Sequence, residues 1–121
     1  MPLSFSEYQK AAGRTRSDKY QPGDKLSMTT AVLGLCGESG ELADVLKKWL
    51  AHGHGLDSEA IRKELGDIMW YLAEACSCFG YHMEEIAEQN IEKLRSRYPD
   101  GFSSERSINR DDGVVRSNPN R

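Results

Sequence analysis

The chain has 121 residues and a net charge of −3, with 38% hydrophobic and 29% charged residues. That length fits one domain with a single core. The mildly acidic balance excludes an electrostatic drive onto a nucleic-acid duplex or an anionic membrane, and leaves small phosphorylated ligands open.

Cysteines number three and form no CxxC pair, which favours reduced thiols. The N-terminal stretch "MPLSFSEYQKAAGRTRSDKY" has no apolar core of a leader, and no run of about 18 apolar residues occurs. The expectation is a cytoplasmic protein.

Apolar residues recur at helical spacing in four places, with no competing alternation, so an all-α fold is expected. A first helix spans Ser4 to Arg14, with Phe5, Tyr8 and Ala12 on one face. "SDKYQPGDK" breaks it. A second helix starts at Ser27 as N-cap and presents Met28, Val32, Leu35, Leu42, Leu46 and Trp49, ending in "AHGHGL". A third, capped by Asp57 or Ser58, carries Ile61, Leu65, Ile68, Leu72, Cys76 and Phe79 until Gly80 stops it. A fourth runs from His82 to Arg97, with Met83, Ile86, Ala87 and Leu94 before Pro99. From Asp100 the composition turns polar, and residues 104–121 read as a tail or a subunit-contact arm following a domain over 1–103.

Glu38 and Glu41 form an ExxE pair, and Glu64 and Asp67 an ExxD pair, each on one helical face. Pairs 41/64 and 38/67 share a midpoint between His52 and Gly53, in the loop. An antiparallel hairpin about that loop therefore sets Glu41 level with Glu64, and Glu38 level with Asp67. Each acidic pair lies about 110° from the middle of its apolar stripe, in the same rotational sense. With stripes facing, four carboxylates converge on one side. Clustered carboxylates need protons or cations, and all-oxygen ligation suits a hard ion such as Mg2+, with Mn2+ as substitute. Isolated acidic pairs usually mark a solvated face; two pairs matched in level and side point to a metal site for a phosphorylated substrate.

"GLCGESGE" (34–41) places three glycines inside a helix, each costing about 0.5–1 kcal/mol against alanine. Gly34 and Gly37 share the acidic side and leave room for a metal or phosphate, while Gly40 points toward close helix packing. Asn90, Lys93 and Arg97 share a face on the fourth helix that can meet a polyphosphate, the alternative being a solvated basic face. Tyr71, four residues after Asp67, can touch a bound ligand, and Lys48 at the end of the second helix is a secondary phosphate contact. His52 and His54 lack metal-ligand partners at a suitable spacing and read as loop residues. A di-iron carboxylate bundle is disfavoured because no histidine stands three residues after a glutamate.

The segment "GLCGESGELADVLKKWLAHGHGLDSEAIRKELGDIMWYLAEACSCFGY", followed by "NIEKLRSRYPDGF", resembles the MazG-like all-α nucleoside triphosphate pyrophosphohydrolases. ExxE, then ExxD on the next helix, then N-x-x-K and RYP carry the likeness. It implies a four-helix bundle with a central antiparallel hairpin, completed by homodimer or homotetramer formation, with a base pocket lined by the N-terminal helix and neighbouring chains. Phe5, Tyr8 and Trp49 are the candidates for that lining. The implied reaction is Mg2+-dependent hydrolysis of a nucleoside triphosphate between the α- and β-phosphates, serving nucleotide-pool cleaning or regulation.

Under that likeness Glu38, Glu41, Glu64 and Asp67 are the metal ligands, with Asn90, Lys93 and Arg97 at the phosphates or sugar. Glu41 is the favoured base, and Lys93 stabilises the leaving pyrophosphate. Many members carry EExxE, whereas Gly37 precedes Glu38 here. The alternative is a catalytically inactive nucleotide-binding or regulatory helical module.

Overall fold

The structure, a computed structural model, describes residues 2–110. Their regular elements are helices: α1 (Phe5–Gly13), α2 (Lys25–Ala51), α3 (Ser58–Phe79), α4 (Met83–Arg97) and α5 (Ser104–Ile108). The expected all-α class stands. One compact unit ends at Met83 and a second begins at Glu84. No helix among the described residues is long and apolar enough to cross a membrane.

In the first unit, α1 opens with a reciprocal cap. The Glu7 amide donates to Ser4 Oγ at 3.1 Å, and the Ser4 amide donates to Glu7 Oε2 at 2.7 Å. The expected start of α2 at Ser27 is corrected by one turn. Gly23 adopts φ +96° and delivers Asp24 in extended backbone, whose Oδ1 accepts from the Ser27 amide at 2.7 Å. Asp24 is thus the cap, and its negative charge also suits the helix N-terminus. Ser27 is buried instead of flanking the helix.

Asp57 caps α3 by accepting from the Ala60 amide at 3.0 Å. Gly80, at φ +77°, ends it, and the Tyr81 amide donates back to the Cys76 carbonyl at 2.8 Å.

Helices α2 and α3 form an antiparallel hairpin. Gly34 meets Tyr71, and Glu38 meets Glu64 and Asp67. The pairs 34/71 and 38/67 are centred between His52 and Gly53, the register read from the sequence. The rotation differs from expectation. The two apolar stripes do not face each other, for Val32, Leu46, Trp49, Leu65, Leu72 and Phe79 are all at least 40% exposed. The physical reason is a knob and a notch: Gly34 leaves a gap in α2 that the Tyr71 ring fills, turning the seam onto the line that carries Glu38.

Helix α1 packs on α3 through Ala12, Ala73 and Cys76, with Met83 completing the cluster and Tyr8 and Trp70 against it. Gln9 clamps this layer: its amide nitrogen donates to Ser77 Oγ (3.0 Å) and the Tyr81 carbonyl (2.9 Å), and its oxygen accepts from the Met83 amide (2.9 Å). Arg16 forms a two-pronged pair with Glu74, at 2.7 and 3.1 Å, and the Glu74 side chain is only 6% exposed.

In the second unit α4 ends at Arg97, two residues before Pro99. The Tyr98 and Phe102 rings pack at 5.3 Å. Residues 104–108, within the expected polar tail, instead form α5, whose start is capped by Ser103 accepting from the Arg106 amide at 3.3 Å. The rest of that expected arm, residues 111–121, lies outside the described residues.

Candidate metal centre

Two successive turns of α3 present Glu64 and Asp67, and α2 presents Glu38 one turn after the Gly34 notch. One carboxylate oxygen from each of the three lies within 4.8 Å of the others. Glu38 and Glu64 are half-buried and Asp67 is exposed. The Glu64 carboxyl against it, then burial, then the charges of Asp67, Glu64 and Glu41 hold the Glu38 carboxyl above its ordinary value.

Glu41, expected as a fourth ligand, stands outside this group. It is exposed and reaches Glu38 only through charge. Three residues of helix rotate it about 60° from the Glu38 line, so the seam that gathers Glu38 leaves Glu41 at its edge.

A hard divalent cation fits these residues. Glu64 Oε2 is buried and has no hydrogen-bond partner, an arrangement that costs free energy unless a donor or cation satisfies the oxygen. Three like charges in one small space add to that need. Oxygen ligands of this kind are what Mg2+ and Mn2+ prefer.

The neighbours are defined by charge as well as contact. On α1, burial and then the Asp67 charge raise the Tyr8 phenol above its ordinary value. Lys47 and Lys48 both pair with Asp44, at 3.0 and 2.8 Å, and pull its carboxyl down to about 2. Lys48 is in turn raised by Asp44 first, and also by Glu41.

Two glycine readings are corrected. The space left by Gly34 is taken by Tyr71 and is not a clearance for phosphate. Gly40, expected to serve packing, faces nothing within 4 Å, while Gly37 is open as expected. Tyr71 therefore has a packing role that its spacing from Asp67 did not reveal.

In the second unit, Asn90 and Lys93 line one open groove of about 730 Å³ on α4, with Ile86, Gln89 and Ser96. Arg97 is not among the groove's lining; its guanidinium carbon lies 5.9 Å from the Tyr98 ring centre.

The first unit holds a second cavity, of about 190 Å³, that the sequence reading missed. It is lined by Thr15, Arg16, Ser27, Thr30, Trp70 and Glu74, among others. Ser27 Oγ is buried there with no hydrogen-bond partner. Phe5, Tyr8 and Trp49, the expected pocket residues, do not line it. Its signal lay in a small and polar line, Ser27, Ala31, Gly34 and Glu38 on α2, with Asp67, Tyr71, Glu74 and Cys78 on α3, at the same three-and-four spacing as the apolar stripes.

Residues 26–102 match the MazG nucleotide pyrophosphohydrolase domain. The Gene 37 protein of Mycobacterium phage L5 is 32% identical over 74 residues, covering 58% of this chain and 65% of that protein. This chain thus spans just under two-thirds of that relative's length. No solved structure matches. The matched segment contains the α2–α3 hairpin but for Lys25, with its three gathered carboxylates, and the chain belongs to the MazG nucleotide pyrophosphohydrolase family.

Proposed function

We propose that this chain hydrolyses nucleoside triphosphates, ribo or deoxyribo, between the α- and β-phosphates, giving a monophosphate and pyrophosphate. The observation that carries the reading is the Glu38, Glu64 and Asp67 group with the unsatisfied Glu64 oxygen inside it. These residues would hold Mg2+, with Mn2+ substituting. When bound, such an ion polarises phosphoryl oxygens and lowers the pKa of a coordinated water.

The protein's own groups supply the rest. Glu41, outside the tight ligand group, is the base that accepts the proton of the attacking water. Lys93 neutralises charge on the leaving pyrophosphate, and Asn90, Arg97 and Lys48 bind substrate, while Tyr71 packs into the Gly34 notch. The cavity walled by Trp70, Ser27 and the Arg16–Glu74 pair is the assigned base pocket, since it combines an aromatic wall with an unspent hydroxyl.

The exposed apolar stripes of α2 and α3 support a homodimer or homotetramer, because Leu65, Leu72, Phe79, Val32 and Leu46 are each 40–50% exposed and a partner could still recover half of the roughly 1.5–3 kcal/mol that full burial gives. The setting we propose is cytoplasmic nucleotide-pool cleaning or regulation.

Pyrophosphate release from a panel of ribo- and deoxyribonucleoside triphosphates, with Mg2+, with Mn2+ and with chelator, tests this reading. Metal-dependent release of equal monophosphate and pyrophosphate is expected. Nucleotide that raises the melting temperature without product would instead establish an inactive binding module.

A further inference from the structure

The carboxylate group poses a mechanical problem. Once ionised, Glu38, Glu64 and Asp67 repel one another, and in that state nothing in their own chemistry draws α2 toward α3 at that level. Something must hold the helices together one turn away. Gly34 stands four residues before Glu38 and Tyr71 four residues after Asp67, each one helical turn from the group.

At that level the helices approach so closely that a Cβ on residue 34 would lie 2.6 Å from Tyr71 Cζ, and nearer still to two other ring carbons. The Tyr71 ring is also braced from its own helix. Its neighbour Trp70 meets it edge-on, at 5.0 Å and 84° between planes. Trp70 is itself anchored, its Nε1 donating to Thr15 Oγ1 at 2.8 Å. The ring thus has a fixed neighbour on one side and the bare backbone of α2 on the other.

We propose that Gly34 and Tyr71 are positioning residues: the ring seated in the glycine notch sets the separation and register of α2 and α3, and so brings Glu38 within ligand reach of Glu64 and Asp67. Neither residue touches the metal. The geometry of the pin stands by itself, and its consequence for the cation rests on the metal reading above. This also answers the helix penalty at Gly34: alanine there would improve local helix propensity and spoil the seam.

The test uses the full chain and Mn2+ alone, followed by paramagnetic resonance of the free ion, together with crystal structures of the metal-free wild type and Gly34→Ala. Gly34→Ala is expected to weaken Mn2+ binding by about tenfold or more, the range for supports of metal ligands. Tyr71→Phe, which keeps the ring, should bind as wild type does. Gly34→Ala combined with Tyr71→Ala removes the clash and should recover part of the loss. Cys76→Ala, in the α1–α3 cluster away from the site, provides a destabilised control that keeps its Mn2+ affinity.

Three results of the Mn2+ titrations overturn the proposal. In one, Gly34→Ala binds within about twofold of wild type, well inside the loss expected for a ligand support. In another, Cys76→Ala loses as much affinity as Gly34→Ala. In the third, Tyr71→Phe loses affinity as well, which transfers the role to the hydroxyl. Wild type that binds no Mn2+ removes the metal reading; the crystal structures then decide alone. They support the pin if alanine drives Glu38 out of reach of Glu64 and Asp67, and refute it if the three oxygens still gather within 4.8 Å.

Discussion

Glu38 on α2 presents its carboxyl to that of Glu64 on α3, and this contact is the largest cause holding Glu38 above its ordinary value. The protein keeps two like groups together where water would separate them. That pairing predicts a hairpin whose stability depends on pH and, under the proposed metal binding, on cation.

The pH dependence follows from the direction of that shift. A carboxyl raised in the folded state contributes stability that is fully present below its unfolded value, near 4.5, and is lost as pH rises through the folded value. Chelated wild type is therefore expected to lose stability relative to Glu38→Gln as pH climbs through the window just above 4.5, and added Mg2+ to remove the difference. Thermal unfolding of both proteins across that range measures it. A constant difference between them at every pH contradicts the assignment.

Asp67→Asn keeps the shape of a ligand and removes its charge. Metal-dependent pyrophosphate release is expected to fall about a hundredfold or more. The chelated variant should be no less stable than wild type, because one of the charges acting on Glu38 is gone. Steady-state rates and chelated melting curves check the two halves together.

The Arg16–Glu74 pair walls the proposed base pocket and is structural in its own right. Arg16→Met leaves a carboxylate that is 6% exposed without its partner, and is expected to cost about 3 kcal/mol of unfolding free energy in denaturant titration. Glu74→Gln leaves unpaired only the more exposed Arg16 charge, 22% exposed, and should cost less. Equal costs would contradict the deeper burial of Glu74 as the source of the larger loss.

Leu72 lies in the middle of the exposed α3 stripe between Leu65 and Phe79. If the proposed oligomer forms, Leu72→Glu is expected to leave a monomer with helical content intact, read by sedimentation velocity and far-UV circular dichroism. A wild type that sediments as a monomer removes the premise.

The hairpin register, the α3 caps and four of the five helices were legible in the sequence because each is written locally; α5, inside the expected polar tail, was not. Asp57 and Gly80 bracket α3 at the expected residues, and the acidic pairs share a midpoint with the loop that joins them. Asp24 was passed over for Ser27 because the cap depended on Gly23 taking a left-handed turn one residue earlier.

The hairpin's rotation was not legible. Apolar periodicity reports the face that seeks burial, and it cannot distinguish a helix of the same chain from a surface outside it. The seam was instead marked by small and polar residues, Ser27, Ala31 and Gly34, whose value lies in what they let approach. The gathered carboxylates were therefore foreseen as a group, while Glu41's place at the edge and the cavity beside Glu74 were not.

The most direct test of the central claim is Mn2+ binding to the full chain, followed by paramagnetic resonance, in wild type and in the variant with Glu38→Gln, Glu64→Gln and Asp67→Asn combined. Bound Mn2+ in wild type, displaced by Mg2+, and none in the variant with its helical content retained is the expected result. Mn2+ that stays free in the presence of wild type, or binds the variant equally well, would contradict it.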